Sequence, residues 1–148
     1  MKKLIILDLD NTLIYASAKP NLSTNILFHF SIHLTVYERP YVYEFIKKCK
    51  ISGDISVHTT AELKYAQSIC EHLDIQPIEL LSRSDCFIYG GMYHKIVSDY
   101  YLDVYDSITI VDDQPEVWIL NNCDKCRIIG VPAFKGCVDD DALLGIEL

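Results

Sequence analysis

The stretch Ile5-Ile6-Leu7-Asp8-Leu9-Asp10-Asn11-Thr12-Leu13 decides the fold of this chain. Residues 3–7 are apolar after the first, with no alternating polar side chain, which is typical of a β-strand buried on both faces. Asp8 then lies at the carboxyl end of the strand, where open α/β sheets bind their ligands. Asp10 lies one pleat further along and points the same way. Two such carboxylates can share a divalent metal ion or divide the roles of nucleophile and acid/base.

The composition is that of a globular, acidic protein. The 148 residues suffice for one domain with a sizeable core, and half of them are apolar. The formal net charge of −8 argues against nonspecific nucleic-acid binding, because a phosphate backbone attracts basic surfaces. The first apolar run is too short for a signal peptide, and no run approaches the length of a membrane span. We therefore expect a cytoplasmic protein, or a nuclear one in a eukaryote, without nucleic-acid or membrane partners. The oligomeric state stays open.

Predicted strands alternate with predicted helices along the chain. Buried strands are expected over 3–7, 55–58, 107–111 and 127–131, with hairpin strands within 25–37 and turn-like sequence over 15–23. Helices are expected from Pro40, as the first helical residue, to about 50, from 59 onward with a Thr59–Glu62 capping box, over 95–104 and over 115–118. Residues 79–89 are expected to be loop or short strands. This alternation predicts an α/β fold with a parallel sheet.

The candidate site residues lie at the ends of the predicted strands or on the turns after them. They are Asp8 with Asp10, Thr59, Lys95, and Asp112 with Asp113. Phosphoryl transfer needs these residue types: one carboxylate attacks phosphorus and a second acid protonates the leaving oxygen. A hydroxyl at a helix N-terminus and a lysine hold phosphate oxygens, and a further carboxylate completes a magnesium site. Read individually, Thr59 and Asp113 are also ordinary helix-capping residues.

These motifs resemble those of the haloacid-dehalogenase (HAD) superfamily of aspartate-nucleophile phosphatases. Asp8-Leu9-Asp10-Asn11-Thr12 matches its DxDxT motif, and Thr59, Lys95 and Asp112-Asp113 match its other three motifs in order. Further segments resemble the FCP/SCP-type phosphatases, which act on the C-terminal domain of RNA polymerase II. The segments are ERPYVYEF (38–45), HTTAELKYA (58–66), SRSDC (82–86), YHK (93–95) and VDDQP (111–115). Asn11 stands where that branch usually has Glu, and Asp113-Gln114 where it has Asn-Ser.

The resemblance implies a fold and a set of roles. The fold would be HAD-like (Rossmannoid) and three-layered, with a central parallel sheet, a small β-hairpin insert and no cap domain, over residues 1–148 as a single phosphatase domain. The cofactor would be Mg²⁺. The implied roles are nucleophile and metal ligand for Asp8, general acid/base with its carbonyl on the metal for Asp10, metal ligand for Asp112, water-mediated metal ligand or Lys95-orienting group for Asp113, phosphate binding for Thr59 and Lys95, and phosphate or peptide contact for Arg83.

The absence of room for a cap bears on the substrate. An uncapped site is open, which favours a phosphate on a large flexible partner, so we expect a phosphoprotein or phosphopeptide carrying phosphoserine or phosphothreonine. Phosphotyrosine, or a small-molecule phosphatase or phosphotransferase of the same superfamily, remains an alternative. A catalytically inactive binding module is a third possibility, but such modules typically lose the catalytic aspartates that this chain keeps.

Two polar segments have simpler interpretations. The six cysteines are expected to be reduced thiols. Cys123-Asp-Lys-Cys126 has zinc-knuckle spacing, but even with Cys137 the sequence offers too few ligands, which favours surface thiols or a redox pair. The acidic run Asp139-Asp140-Asp141 is expected to be a solvated or helix-capping tail.

Overall fold

The computed structural model describes residues 1–19, 24–121 and 123–148. Eleven strands and three α-helices are present in these ranges. They are β1 (Lys3–Leu7), β2 (Ile14–Ser17), β3 (Ile26–Ser31), β4 (Leu34–Glu38), α1 (Val42–Ser52), β5 (Asp54–His58), α2 (Leu63–His72), β6 (Leu80–Leu81), β7 (Phe87–Tyr89), β8 (Met92–Ile96), α3 (Asp99–Val104), β9 (Ser107–Asp112), β10 (Trp118–Ile119) and β11 (Cys126–Gly130).

A five-stranded parallel sheet forms the centre, in the order β11-β9-β1-β5-β6. Strand β1 is the middle strand, and its alternate side chains enter two separate cores. Ile5 and Leu7 pack in the core that contains apolar residues of α1 and α2. Leu4 and Ile6 pack in the opposite core with Tyr101 of α3. Helices therefore cover both faces, which confirms the predicted three-layer α/β architecture and the doubly buried first strand.

Two smaller sheets flank the central one. Strands β2, β4 and β3 form an antiparallel insert directly after the Asp8–Asp10 segment, in agreement with the predicted hairpin. Strand β8 pairs antiparallel with β7 and parallel with β10. In the described part of the chain, the segments on either side of Thr59 hold β2 to β8, α1, α2 and short turns, so no cap stands over the sheet edge there. No helix in the same residues is long and apolar enough to cross a membrane.

The structure corrects several boundaries. Residues 14–17 form β2 where turn-like sequence was predicted, and 20–23, the end of that prediction, lie outside the described residues. Helix α1 begins at Val42, because Pro40 and Tyr41 occupy a turn in which Val42 N–H donates to the Arg39 carbonyl at 3.1 Å. Tyr41 has φ 68°, the left-handed conformation that a type II turn requires after its proline.

Two of the three other predicted helix starts are also wrong. Helix α2 begins at Leu63, and Thr59 accepts a hydrogen bond from Ala61 N–H instead of capping the helix with Glu62. The region 95–104 is strand first and helix later, because Lys95 belongs to β8 and α3 is capped by Ser98, whose hydroxyl accepts from Tyr101 N–H. Pro115–Val117 form a single 3₁₀ turn, and Trp118 already belongs to β10.

Candidate active site

Asp8 and Asp112 meet because their strands are parallel neighbours. Asp8 follows β1 and Asp112 is the last residue of β9, and the Asp8 N–H donates to the carbonyl of Val111 at 3.0 Å. Both carboxylates are nearly inaccessible, with 6% and 1% of the residue exposed. The carboxyl end of the sheet therefore carries two buried acids side by side, as the sequence predicts.

Lys95 holds these two acids together. Its Nζ donates to Asp8 Oδ1 at 3.1 Å and to Asp112 Oδ2 at 2.8 Å, and the residue is 1% exposed. Burial acts to lower the pKa of Lys95, but the two carboxylates outweigh it and raise the pKa above the ordinary lysine value. The side chain comes from the small sheet at the flank, where Lys95 pairs with Trp118. Lys95 is therefore a buried cation on a strand, not a solvated charge at a helix start.

The nucleophile candidate has a perturbed acidity. Burial raises the pKa of Asp8 from 3.8 to about 6, against the opposing effects of Lys95 and of a hydrogen bond from Thr12. Burial also raises the pKa of Asp112, and the neighbouring negative charge of Asp8 adds to that shift. Both shifts arise because two anions and one cation share a site from which water is largely excluded.

Thr12 connects the acids, although the sequence assigned it no role beyond the motif. Its Oγ1 donates to Asp8 Oδ2 at 2.7 Å, accepts from Asp113 N–H at 3.0 Å and lies 3.2 Å from Asp113 Oδ1. The turn between Asp8 and Thr12 places Asn11 at φ 64°, a left-handed conformation that asparagine tolerates better than glutamate. The replacement of the usual Glu at this position therefore suits the local backbone.

The donor set fits a magnesium ion. Asp8, Asp112 and Asp113 each offer a carboxylate oxygen, and these oxygens lie within 4.8 Å of one another. Oxygen ligands in this number are what Mg²⁺ takes from proteins, usually with several water molecules. Asp113 contacts Thr12, and no hydrogen bond joins it to Lys95 in the described residues, so its place in the cluster favours the role of metal ligand over that of orienting Lys95.

Asp10 stands apart from the three clustered carboxylates. Tyr65 of α2 donates from its hydroxyl to Asp10 Oδ1 at 2.7 Å. Burial raises the pKa of Asp10, and the hydrogen bond from Tyr65 opposes that change. A carboxyl group separated from the carboxylate cluster, with a raised pKa, suits proton transfer better than metal binding. The contact of Tyr65 with Asp10 was not predicted, because the only local signal for Tyr65 is its place in the motif after Thr59.

Thr59 and Arg83 occupy the loops beside the acids. Thr59 is buried after β5, and its N–H donates to the carbonyl of Leu81 at 2.9 Å. Arg83 donates from Nε to the carbonyl of Thr60 at 2.9 Å, lies 3.6 Å from Glu62 and keeps 46% of its side chain exposed. Within the ranges that the structure describes, neither hydrogen-bonds to the carboxylate cluster, so the structure brings these two residues to its rim only.

A tryptophan and a histidine line the buried side of the site. Trp118 Nε1–H donates to Asp112 Oδ2 at 2.9 Å, and its ring meets that of His58 edge-on, with centroids 5.4 Å apart. Burial lowers the pKa of His58 to about 4, with a further contribution from the charge of Lys95. Neither residue was predicted to belong to the site, since no local pattern indicates that the Trp118 indole bonds to a carboxylate six positions away.

In the described residues, the Cys123–Cys126 pair is not part of a group of side chains that could bind a metal ion. Cys126 Sγ donates to Cys123 Sγ at 2.8 Å, and all six cysteines are free thiols. Among residues 1–19, 24–121 and 123–148, the group of acids at the sheet edge is the candidate metal cluster, and it includes no cysteine.

Curated relatives cover most of this chain. Phosphatase Herzog of Drosophila melanogaster is 30% identical over 127 residues, which span 81% of this chain and 36% of the relative. The CTD small phosphatase-like protein of Homo sapiens is 28% identical over 127 residues, which span 81% of this chain and 46% of the relative. The chain therefore spans less than half the length of these curated relatives.

A solved structure and a family model both match nearly the whole chain. The solved structure of Fcp1, an essential RNA polymerase II CTD phosphatase, superposes with a TM-score of 0.67 at 20% identity and covers 95% of this chain and 44% of that one. At this identity the likeness shows the HAD-like fold alone. The family model of NLI interacting factor-like phosphatases matches residues 3–147. With nearly every residue matched, and with the acids of its motifs assembled at one sheet edge, the chain belongs to the NLI interacting factor-like phosphatase family.

Proposed function

We propose that this chain is a magnesium-dependent phosphatase that forms an aspartyl-phosphate on Asp8, with residues 1–148 acting as a single catalytic domain. The observation that carries the proposal is the contact of Lys95 with both Asp8 and Asp112 at the carboxyl ends of adjacent strands. A buried carboxylate oriented by Thr12 and Lys95 is a positioned nucleophile beside a cation that can neutralise phosphate charge.

The metal would be held by the carboxylates of Asp8, Asp112 and Asp113, together with the backbone carbonyl of Asp10. Bound there, Mg²⁺ would supply positive charge to the phosphate oxygens and so favour attack by an anion on an anion. The three clustered carboxylates support this assignment.

The proposed reaction has two steps. Asp8 attacks phosphorus through a carboxylate oxygen, and the bond to the leaving oxygen breaks as Asp10 donates it a proton. Asp10 then takes a proton from water, which attacks the aspartyl-phosphate and releases phosphate and free Asp8. Lys95 and Thr59 hold phosphate oxygens during both steps. The raised pKa of Asp10 supports this role, because a carboxyl group must carry the proton in the first step.

The proposed substrate is phosphoserine or phosphothreonine in a flexible protein segment. The open sheet edge supports this choice, because a macromolecular substrate needs an approach that a cap would obstruct. Arg83 is half exposed on the rim, where its guanidinium is available to a phosphate or to the peptide. The human and Drosophila relatives are named as phosphatases, which supports the reaction class but leaves the substrate to be measured.

The test is hydrolysis of a generic aryl phosphate with Mg²⁺, with EDTA, and by Asp8→Asn. We expect turnover that needs the metal and disappears in the variant, whereas Asp103→Asn, which removes an exposed acid of α3, should keep wild-type activity. Turnover by Asp8→Asn near the wild-type rate would exclude Asp8 as nucleophile. A phosphopeptide panel then tests the substrate class: efficient hydrolysis of small phosphometabolites with no action on phosphopeptides would favour the small-molecule alternative, and no turnover of either would favour an inactive binding module.

A further inference from the structure

A buried arginine, Arg39, contacts the turn from Asp8 to Thr12, here called the catalytic turn. Arg39 is 0% exposed although it precedes the turn into α1 and carries a full charge. A fully buried guanidinium is unfavourable unless every donor is paired. The sequence motif that contains Arg39 gave it no role, and the proposed reaction does not use it.

All five N–H donors of this guanidinium have acceptors. Two of them form a fork with the Asp140 carboxylate, at 2.8 Å from Nε and 2.9 Å from Nη2. Two from Nη1 reach the backbone carbonyls of Asn11 at 3.3 Å and Thr12 at 3.0 Å, and the last reaches the carbonyl of Pro132 at 2.7 Å. Arg39 thus joins the catalytic turn to the segment that follows β11.

A second contact between the same two segments runs parallel to the first. The N–H of Phe134 donates to the carbonyl of Asn11 at 2.7 Å, and the fully buried Phe134 ring lies 5.5 Å from the Arg39 guanidinium carbon. The carbonyl of Asn11 is therefore fixed from two directions. This matters because Asn11 is the left-handed residue of the turn, whose conformation sets the directions of Asp10 and Thr12.

The contacts continue to the nucleophile. Arg39 holds the backbone of Thr12, and the Thr12 hydroxyl donates to Asp8 Oδ2 at 2.7 Å. Asp140 in turn fixes the plane of the guanidinium, because two parallel hydrogen bonds to one carboxylate allow a single orientation. The capping expectation holds for Asp140, whose Oδ1 also accepts from the Ala142 N–H at 3.2 Å, but its ion pair with Arg39 means that Asp140 is not simply solvated. Asp139 and Asp141 are exposed.

We propose that Asp140 and Arg39 are positioning residues of the phosphatase site: the ion pair holds the Asn11–Thr12 backbone so that Thr12 fixes the Asp8 carboxylate for in-line attack. The proposal rests on the proposed function, and it assigns to the segment after β11 a part in catalysis. Neither residue touches phosphate. Their loss should therefore affect the rate of the chemical step more than the binding of substrate.

The perturbation is Asp140→Asn, with Asp139→Asn as its matched control. Both variants remove one negative charge from the same run, but only the first breaks the fork. We expect kcat for an aryl phosphate to fall about 10- to 100-fold in Asp140→Asn, the scale of a misplaced reacting group, with KM and the inhibition constant of inorganic phosphate within about twofold of wild type. Asp139→Asn should match wild type in all three.

Arg39→Lys provides a second variant that keeps the charge. A lysine ammonium has three donors, so it cannot form the planar fork and leaves at least two of the five acceptors without a partner. We therefore expect kcat to fall at least as far as in Asp140→Asn. If either variant lowers the melting temperature while the folded protein keeps wild-type kcat, the pair is structural only and the proposal is wrong.

Backbone amide hydrogen exchange measures how firmly the turn is held, and it does not depend on turnover. The N–H groups of Thr12, Leu13 and Ile14 all donate to the carbonyl of Leu9, at 3.2, 2.8 and 3.2 Å. We expect these amides to exchange faster in Asp140→Asn, with the amides of β1 and β9 unchanged. Unchanged exchange at the turn would overturn the proposal. Inactivity of the wild-type protein would instead count against the proposed function. The exchange rates would then still show whether Asp140 and Arg39 hold the turn.

Discussion

Replacing Asp8 by asparagine should stabilise the metal-free protein while it abolishes turnover. Burial raises the pKa of Asp8 from 3.8 to about 6, so keeping this carboxylate ionised at pH 7.5 opposes folding by about 3 kcal/mol, at 1.36 kcal/mol for each pKa unit. Asparagine has nearly the same shape and no charge. Its carbonyl can accept from Lys95, and Thr12 can turn its hydroxyl toward Asp113 Oδ1 at 3.2 Å.

The assay is urea and thermal unfolding in EDTA at pH 7.5. We expect Asp8→Asn to raise the free energy of unfolding by up to about 3 kcal/mol, which corresponds to a melting temperature higher by about 6–12 °C for a protein of this size. Asp103→Asn serves as control, because it removes an exposed charge and should change the free energy by less than about 0.5 kcal/mol.

The pH dependence of the free energy of unfolding is a second test of the direction of the Asp8 pKa shift. An acid with a raised pKa in the folded state makes folding less favourable as pH rises from 3.8 toward 6, because the native state there binds more protons than the unfolded state. The advantage of Asp8→Asn should therefore be complete above pH 6 and disappear near pH 4. Adding Mg²⁺ at pH 7.5 should stabilise wild type more than the variant. A variant that is no more stable than wild type in EDTA would refute the reasoning.

Three further perturbations probe the surroundings of the site. Lys95→Met should lower the free energy of unfolding in EDTA by about 3–5 kcal/mol, since it leaves buried carboxylates without their cation, and urea denaturation measures this. Tyr65→Phe removes the hydroxyl that lowers the pKa of Asp10, so the matching limb of the kcat–pH profile should move to higher pH. His58 has a pKa of about 4 when folded and 6.5 when free, so protonation of the unfolded state should reduce stability by about 3 kcal/mol between pH 7 and pH 4. His58→Gln should lose this slope, and His33→Gln, at an exposed position, should keep it; identical slopes in all three proteins would contradict the assignment.

The local sequence predicted those elements in which every residue has the same kind of environment. The strand before Asp8 was readable because both of its faces are buried and its residues are therefore all apolar. The same strand end predicted where Asp8 and Asp112 would meet, since parallel strands end at one edge of a sheet. Helix starts were less readable: Thr59 and Glu62 have the right spacing for a capping box, yet the Thr59 hydroxyl bonds to Ala61 within its own turn.

Tertiary pairing decided the conformation of the lysine segment. Residues 95–104 have a helix-compatible pattern, but Lys95 lies in a strand because β7 and β10 supply the backbone partners on either side of β8. Such partners come from other parts of the chain and leave no periodic signal in the strand itself. Lys95 is a buried cation because that strand pairing places it beside the acids.

By itself, the sequence determined the α/β architecture, the insert of hairpin strands and the identity of the acids, because hydrophobic periodicity and strand-end position are local properties. Only the tertiary structure decided which polar side chains form hydrogen bonds with those acids and with the turn beside them. Thr12 and Asp113 are 101 residues apart, as are Arg39 and Asp140, and each pair is joined by hydrogen bonds. A hydrogen bond depends on the distance and direction between two atoms, and for residues so far apart in the chain the packing of the whole fold sets both.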